Sequence, residues 1–271
     1  MPGVLSFQTR ALLALSCGAV LVVTGLQPAA AAPQATRQPT SQATPAAGPP
    51  QLALHYDFGM DEGERTSDAS GNGHDGQLVG ATLTEGRLKN AVQLAGAGSV
   101  RMATVPASMD PRMRALTVGA FCRPSALDGV LLAMGDSTNG YCLYLEAAVP
   151  HFAVRAAGDL TVAVGRDPVV VDQWVHLAGA IDPKGTVYLL VNGWTMAAVT
   201  GSLVTGTPTE PFAVGMDVGS PVGRYGQNTG WAGLVQDVRL YWGYLDRQGS
   251  LSAWQTWADL PGCLCKQGSR Y

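Results

Sequence analysis

The sequence predicts an all-β fold, a two-sheet antiparallel β-sandwich. Three observations carry that expectation. Short apolar runs recur along the chain, each bounded by Gly, Pro, Asn or Asp, as in strands joined by tight turns. Charged residues make up only 14% of the chain, whereas hydrophobic residues reach 46% and glycines number 34, a composition suited to a sandwich or barrel with many turns. Helical periodicity is nearly absent, and Leu251 to Leu260 is the one candidate for a short C-terminal helix.

The first segment stands outside the fold. Arg10 precedes an apolar run from Ala11 to Leu26, and a small-residue tract follows from Ala29 to Ala32. That order reads as a secretory signal peptide over residues 1–32, cleaved between Ala30 and Pro33. The apolar stretch is about 16 residues, short of the roughly 20 that a membrane span needs; an uncleaved anchor is the alternative. Residues 33–51 are mainly Pro, Ala, Thr, Gln and Ser, a disordered or extended linker that cannot bury a core. The expected destination is secretion, the cell surface or the periplasm, with no membrane span after cleavage.

One domain is expected over residues 52–257, followed by a tail, 258–271, that holds Cys263 and Cys265. Leu54 to Phe58 alternates and then breaks. Asp68 to Gly76 is a concentrated turn signal in which Gly71, Gly73 and Gly76 can take positive φ. Gln77 to Val79, Ala91 to Leu94 and Ser99 to Met102 read as strands. Leu116 to Arg123 alternates, with Leu116, Val118, Ala120 and Cys122 on one face. Val130 to Met134, Tyr141 to Glu146, His151 to Arg155 and Leu160 to Val164 follow at hairpin spacing. Trp174 to Ile181 and Thr186 to Val191 flank an Asp-Pro-Lys-Gly turn, and Phe212 to Met216 and Leu234 to Tyr241 complete the set. Each strand offers one apolar face, so two packed sheets are implied.

A formal net charge of −3 argues against nucleic acid, which demands a basic patch, and against anionic lipid. Of five cysteines, Cys17 would leave with the signal. The remaining four, Cys122, Cys142, Cys263 and Cys265, allow three disulfide pairings in an oxidising compartment; free or partly paired thiols are the other reading. Cys122–Cys142 would join neighbouring strands. Strand parity opposes it, because Cys122 falls with the core set and Cys142 opposite Leu143 and Leu145, so a bulge would be required. The spacing of Cys and His does not suit zinc.

Four segments in order carry a family likeness. Tyr56-Asp57-Phe58 with Asp68-Ala69-Ser70-Gly71-Asn72-Gly73-His74-Asp75-Gly76 resembles the opening of bacterial laminin-G-like domains of the concanavalin-like superfamily. Leu116 to Pro124, then Gln173-Trp174-Val175-His176-Leu177-Ala178 with Val187 to Gly193, and finally Gly233 to Tyr241, are similar to later strands of that family. The resemblance covers roughly residues 52–257 and implies a jelly roll in a secreted or surface protein. It also implies a structural calcium ion held by Asp57, Asp68, Asn72 and Asp237, with backbone oxygens near Ser70 and His74. The alternative is an Asp/Asn-rich turn whose side chains cap its own backbone.

The chemistry that the residues offer is mostly binding. Glycoside hydrolysis needs two carboxyls about 5–5.5 Å apart, or wider for inversion, and no strand here carries closely spaced acids. His55, His74, His151 and His176 are scattered, with no nucleophile elbow. Sugars are held by aromatic faces and a few polar groups. Alternation puts Phe121 and Arg123 opposite the core face of their strand, Tyr144 on one face of the next hairpin and Arg155 on one face of its partner. Trp194 follows the Asn192-Gly193 turn, and Trp231 lies in a Gly-rich loop with Tyr225, Gln227 and Asn228. These seven, Phe121, Arg123, Tyr144, Arg155, Trp194, Tyr225 and Trp231, are the candidate ligand residues; core or sheet-covering aromatics are the alternative, and Trp174 and Trp242 are assigned to packing. The expected function is a secreted, non-catalytic module that binds carbohydrate or an extracellular surface partner. A structural or adhesion domain without a sugar site, and a hydrolase or lyase, are the alternatives.

Overall fold

The computed structural model describes residues 49–59, 63–87, 90–226 and 229–254. The expected signal peptide, nearly all of the linker, and Cys17, Gln227, Asn228, Cys263 and Cys265 lie outside the described residues. Sixteen strands appear among those described. They are β1 Gln51–Tyr56, β2 Arg65–Thr66, β3 Gly76–Val79, β4 Thr82–Glu85, β5 Asn90–Ala95, β6 Ser99–Arg101, β7 Leu116–Pro124 and β8 Gly129–Gly135. There follow β9 Gly140–Glu146, β10 Val149–Ala156, β11 Asp159–Val164, β12 Val175–Ile181, β13 Thr186–Val191, β14 Trp194–Thr200, β15 Ala213–Val214 and β16 Ala232–Trp242. One helix, α1, spans Arg247–Ala253.

The strands form two antiparallel sheets packed as a sandwich. The first runs β14-β13-β12-β7-β16-β5-β4, with β1 also on β16. Strand β5 pairs with the start of β16 and β1 with its end, so the two share one edge of that long strand. The second runs β11-β10-β9-β8-β15-β6-β3-β2. One main core lies between them, built from residues such as Tyr56, Phe58, Leu94, Phe152, Leu177, Phe212 and Trp231. Strand parity holds in β7, where Leu116, Val118, Ala120 and Cys122 all join this core. In β12, Val175, Leu177 and Ile181 face inward, whereas Ala178 and Ala180 belong to a separate outer cluster. Gly179 is the inward residue that has no side chain, and a Cβ there would sit 2.0 Å from the Phe152 ring of the opposite sheet. Its absence lets the two sheets close around that ring.

Three strands appear that periodicity does not reveal, the two-residue β2 among them. Strand β14 is an edge strand with the sequence Trp-Thr-Met-Ala-Ala-Val-Thr, exposed or half-exposed along its whole length. A bulge in its pairing with β13 breaks the in/out alternation. Strand β4 is four residues with no buried position. Gly71 and Gly73 take positive φ in the Asp68 turn as expected, but Gly76 does not. It opens β3, where a Cβ would strike Thr66 and Val100. The helix begins earlier than Leu251, because the Asp246 carboxylate caps it by accepting the Gly249 N–H at 2.8 Å.

The Cys122–Cys142 pairing is corrected. Cys122 lies in the first sheet and faces the core, whereas Cys142 lies in the second sheet and faces outward with Val130, Tyr144 and Val222. The two are therefore not on neighbouring strands, and both are free buried thiols. Burial raises the pKa of each above the usual thiol range.

Candidate functional site

The Asp68 turn is closed by its own hydrogen bonds. Asp68 Oδ1 accepts the backbone N–H groups of His55 and Ser70 at 2.9 and 3.0 Å, and Oδ2 accepts that of His74 at 3.1 Å. Burial alone would raise the Asp68 pKa, but these bonds outweigh it and hold it below the ordinary value. The Asn72 amide donates to the carbonyls of Leu52 and Ala53, both at 3.1 Å. Ala53 O also accepts from Ser70 Oγ and from His74 Nδ1. Asp57 accepts from the Gly59 N–H at 3.0 Å.

Asp237 stands at a bulge of β16 with φ 53°. Its Oδ1 receives His55 Nε2 at 2.7 Å and Arg239 Nε at 2.8 Å. Burial would raise its pKa; the His55 hydrogen bond and the Arg239 charge outweigh that and lower it. This donor set does not fit calcium. A guanidinium already occupies the position at Asp237 where a hard cation would seek its oxygen, and the His74 carbonyl accepts from the Tyr56 hydroxyl at 2.7 Å. Among the described residues no group of three His, Cys, Asp or Glu is placed to hold a metal ion.

The expected ligand face on the second sheet is covered. The segment from Met216 to Gly226 folds back over β8, β9 and β10, and Val222 is fully buried against Cys142, Tyr144 and Ala153. Gly223 permits this approach, since a Cβ would meet the Tyr225 ring at 2.3 Å and Cys142 Sγ at 3.0 Å. Tyr144 is 1% exposed, stacked on His151 with centroids 4.8 Å apart and met edge-on by Tyr225 at 4.8 Å. Arg155 is committed to the backbone, donating to Val222 O at 2.8 Å and Gly158 O at 2.7 Å. Trp231 is a core residue, and Phe121 is buried beneath α1. Tyr144, Arg155, Phe121 and Trp231 are thus corrected from contact residues to framework, and Tyr225 is the cover itself.

Three carboxyls near this cover serve the loops. Asp136 accepts from Thr138, Asn139 and Thr209, and Glu210 accepts from Ser220. Asp217 accepts from the Val222 N–H and the Tyr225 hydroxyl. Burial pushes the Asp217 pKa up to about 6 against those hydrogen bonds, and the charges of Glu210 and Asp136 add to the rise.

Trp194 is the expected contact residue that stands in an open groove. The cavity is about 180 Å³ and lies between the loop 165–174 and the β13–β14 hairpin. Its floor and walls are apolar, from Pro168, Val169, Val170, Val175, Val191 and Met196, with Trp174 and Trp194 as aromatic sides. Arg166, Asp167, Gln173 and Asn192 bring polar groups to the same space. Both residues of the Asn192-Gly193 turn have positive φ, 51° and 77°, as a two-residue hairpin loop that matches strand twist requires. The turn is fixed to β12, since the Asn192 N–H donates to His176 O at 2.8 Å and Asn192 Oδ1 accepts the His176 N–H at 3.0 Å. Trp194 follows directly and is 42% exposed. Arg123 supports the opposite wall by donating to Asp172 O at 3.0 Å.

The comparisons with known proteins agree with this architecture. A laminin G family model of the concanavalin A-like lectin/glucanases superfamily matches residues 95–248. The chain belongs to this family. Among solved structures, the laminin-G-like chain is similar to the binding domain of Paraclostridial Mosquitocidal Protein 1, with a TM-score of 0.61 and 14% identity over 77% of this chain and 53% of that one. It is similar to domain 4 of AbnA, a GH43 extracellular arabinanase from Geobacillus stearothermophilus in complex with arabinotriose, with a TM-score of 0.56 and 21% identity over 75% of this chain and 98% of that one. The receptor binding domain of botulinum neurotoxin D matches with a TM-score of 0.57 and 9% identity, over 77% and 53% of the two chains. The chain thus spans about half the length of two of these three. No curated protein matches it.

The laminin-G-like groove includes residues that sequence reasoning passed over. Trp174, assigned to packing, does pack against the Phe121–Trp254 cluster and also lines the groove, whereas the loop after β11 was not singled out. A signal exists in the run Val169-Val170-Val171, which is apolar yet lies in a loop beside Pro168; Val170 is 54% exposed. Exposed apolar residues gathered at one place mark binding surfaces more often than scattered ones. Among the described residues, no helix is long and apolar enough to cross a membrane.

Proposed function

We propose that this laminin-G-like chain is an exported, non-catalytic binding module that takes a carbohydrate in the groove between Trp174 and Trp194. The observation that carries the reading is Trp194, a large ring held exposed at the mouth of an apolar groove by a rigid two-residue turn. A sugar ring lays its C–H face on such a ring, while its hydroxyls find the nearby Gln173, Asn192, Arg166 and Asp167. The AbnA domain, which shares the fold, is described with arabinotriose bound. Asp136, Glu210 and Asp217 accept hydrogen bonds from the loops around them, which supports a role without catalysis.

The test is a panel of oligosaccharides, arabinotriose included, titrated calorimetrically into the purified protein and into Trp194→Ala. The expected result is saturable binding that falls at least about tenfold in the variant, a loss of ~1.4 kcal/mol. Equal binding by both proteins would move the site elsewhere, and turnover of a reporter glycoside would overturn the non-catalytic reading. A surface-protein partner is the second reading, favoured by the apolar lining of the groove.

A further inference from the structure

We infer that α1 is a proton-sensitive clasp on the Trp194 groove, released when His176 beneath it takes up a proton. This deepens the proposed groove reading by naming its regulation, and rests on that reading only for the effect on ligand.

His176 lies on β12 and points away from the main core, beneath α1. It is 3% exposed. Its ring is held between Phe121, with centroids 4.9 Å apart, and Trp254, at 4.4 Å. Nε2 is buried with no hydrogen-bond partner. Beside the ring is a cavity of about 10 Å³ bounded by Phe121, Gly193, Leu251 and Trp254, room for about one water at most. A neutral imidazole is tolerable in such surroundings, whereas an imidazolium without a partner is not. Burial lowers the His176 pKa to about 3.

The charged groups that act on this ring come from β16. Asp237 favours the cation and Arg239 opposes it. The residues that β7, the β13–β14 turn and α1 bring around the cavity, Phe121, Asn192, Gly193, Ser250, Leu251 and Trp254, carry no titratable side chain. The attraction of Asp237 is outweighed by burial and opposed by Arg239, so protonation is relieved by opening the lid.

The lid is α1. Its Leu251 packs over Gly193, where a Cβ would come within 2.5 Å of the leucine side chain. Trp254 Nε1 donates to Asp237 O at 3.4 Å, and Arg239 donates to Ala253 O. At the other end of the helix, the Arg247 guanidinium stacks on Trp194, 3.5 Å from the ring centroid. Arg247 thereby bears on the orientation of a ring that lines the groove. Undocking α1 withdraws that support and leaves the Trp194 ring free to turn.

The sign follows from linkage. With α1 undocked, His176 titrates near its ordinary value of about 6.5. The folded value is lower, so the docked helix has its full stability above about pH 6.5 and loses it as pH falls toward 3, about tenfold in the docking equilibrium per pH unit. At pH 5 the expected loss is roughly 30-fold.

The test uses the whole protein without ligand. Amide hydrogen exchange of residues 247–254, corrected for the intrinsic pH effect, is expected to rise about 30-fold from pH 7.5 to pH 5 in the wild type and to stay flat in His176→Phe. Equal pH profiles in the two proteins would overturn the clasp. Should the variant fail to fold, the His176 ring titration in the wild type decides by nuclear magnetic resonance. A ring that titrates near pH 6.5 while the α1 amides keep their protection would also overturn it. With arabinotriose as probe, affinity is expected to weaken on acidification in the wild type but not in His176→Phe. Absence of binding at every pH would count against the groove reading, and the exchange experiment would still decide the clasp.

Discussion

The Arg247 guanidinium lies over the Trp194 ring, 3.5 Å from its centroid. A cation over an exposed indole is worth about 0.5–1 kcal/mol, and here it orients a ring that faces a groove. Arg247→Ala is therefore expected to weaken glycan binding about two- to fivefold, the factor that corresponds to that energy. Both residues are exposed, so unfolding free energy should change by no more than the worth of the contact itself, about 0.5–1 kcal/mol. Calorimetric titration paired with a thermal melt separates the two effects; a variant that melts early but binds normally would assign Arg247 to stability instead.

Trp231 is buried to 1% among core residues of both sheets. Its removal opens a cavity, so Trp231→Ala should cost about 3–5 kcal/mol. Its Nε1 has no hydrogen-bond partner, and a buried unpaired donor carries a penalty of about 1–3 kcal/mol. Trp231→Phe removes that donor along with part of the ring, and its cost should be well below that of the alanine variant. Urea melts of the two variants give the comparison. Equal losses would mean that the indole N–H finds a partner after all.

The contrast between Trp194 and Trp231 shows where sequence stops speaking. Trp194 follows an Asn-Gly turn, Trp231 lies in a Gly-rich loop, and both were candidate ligand residues. Local turn chemistry settled Trp194, because an Asn-Gly hairpin projects the next residue from an edge strand. The fate of Trp231 depended on a long-range event, the docking of its segment between β5 and β8, which no local pattern records. The same division runs through the fold. The alternation in β7 named the core face correctly, since burial on one side imposes period two. The cover over Tyr144 was hidden, because Val222 and Tyr225 lie some 80 residues downstream of the strand that they bury. Arg239 likewise looks like a solvated charge in β16, yet a bulge turns Asp237 toward it and toward His55 on β1.

That bulge leads to a prediction about metal. Asp237 is buried with Arg239 and His55 as its partners. Arg239→Met removes a charge-assisted bond and leaves Asp237 with His55, so it should cost about 1.5–3 kcal/mol. The folded pKa of Asp237 is lowered. Its contribution is thus complete above the ordinary carboxylate value near 3.9 and is lost as pH falls through the lower folded value. With the cationic position filled by Arg239, neither a chelator nor millimolar calcium should move the melting temperature. A clear rise on adding calcium to the wild-type protein would restore the metal site expected from the turn sequence.

Asp217 gives the opposite pH dependence. Burial raises its folded pKa to about 6, above the unfolded value near 3.9. The protonated form is favoured on folding, so its contribution is greatest below about pH 4 and declines as pH rises to 6. The full effect is at most about 3 kcal/mol. Asn at this position is neutral at every pH and keeps an acceptor for the Val222 N–H and the Tyr225 hydroxyl. The difference in melting temperature between Asp217→Asn and the wild type should therefore grow in favour of the variant between pH 4 and pH 6.5, then level off. His176 and Asp237 titrate in both proteins and cancel in that difference. Melting curves that run parallel across the range would show that the cover over the second sheet is indifferent to the charge beneath it.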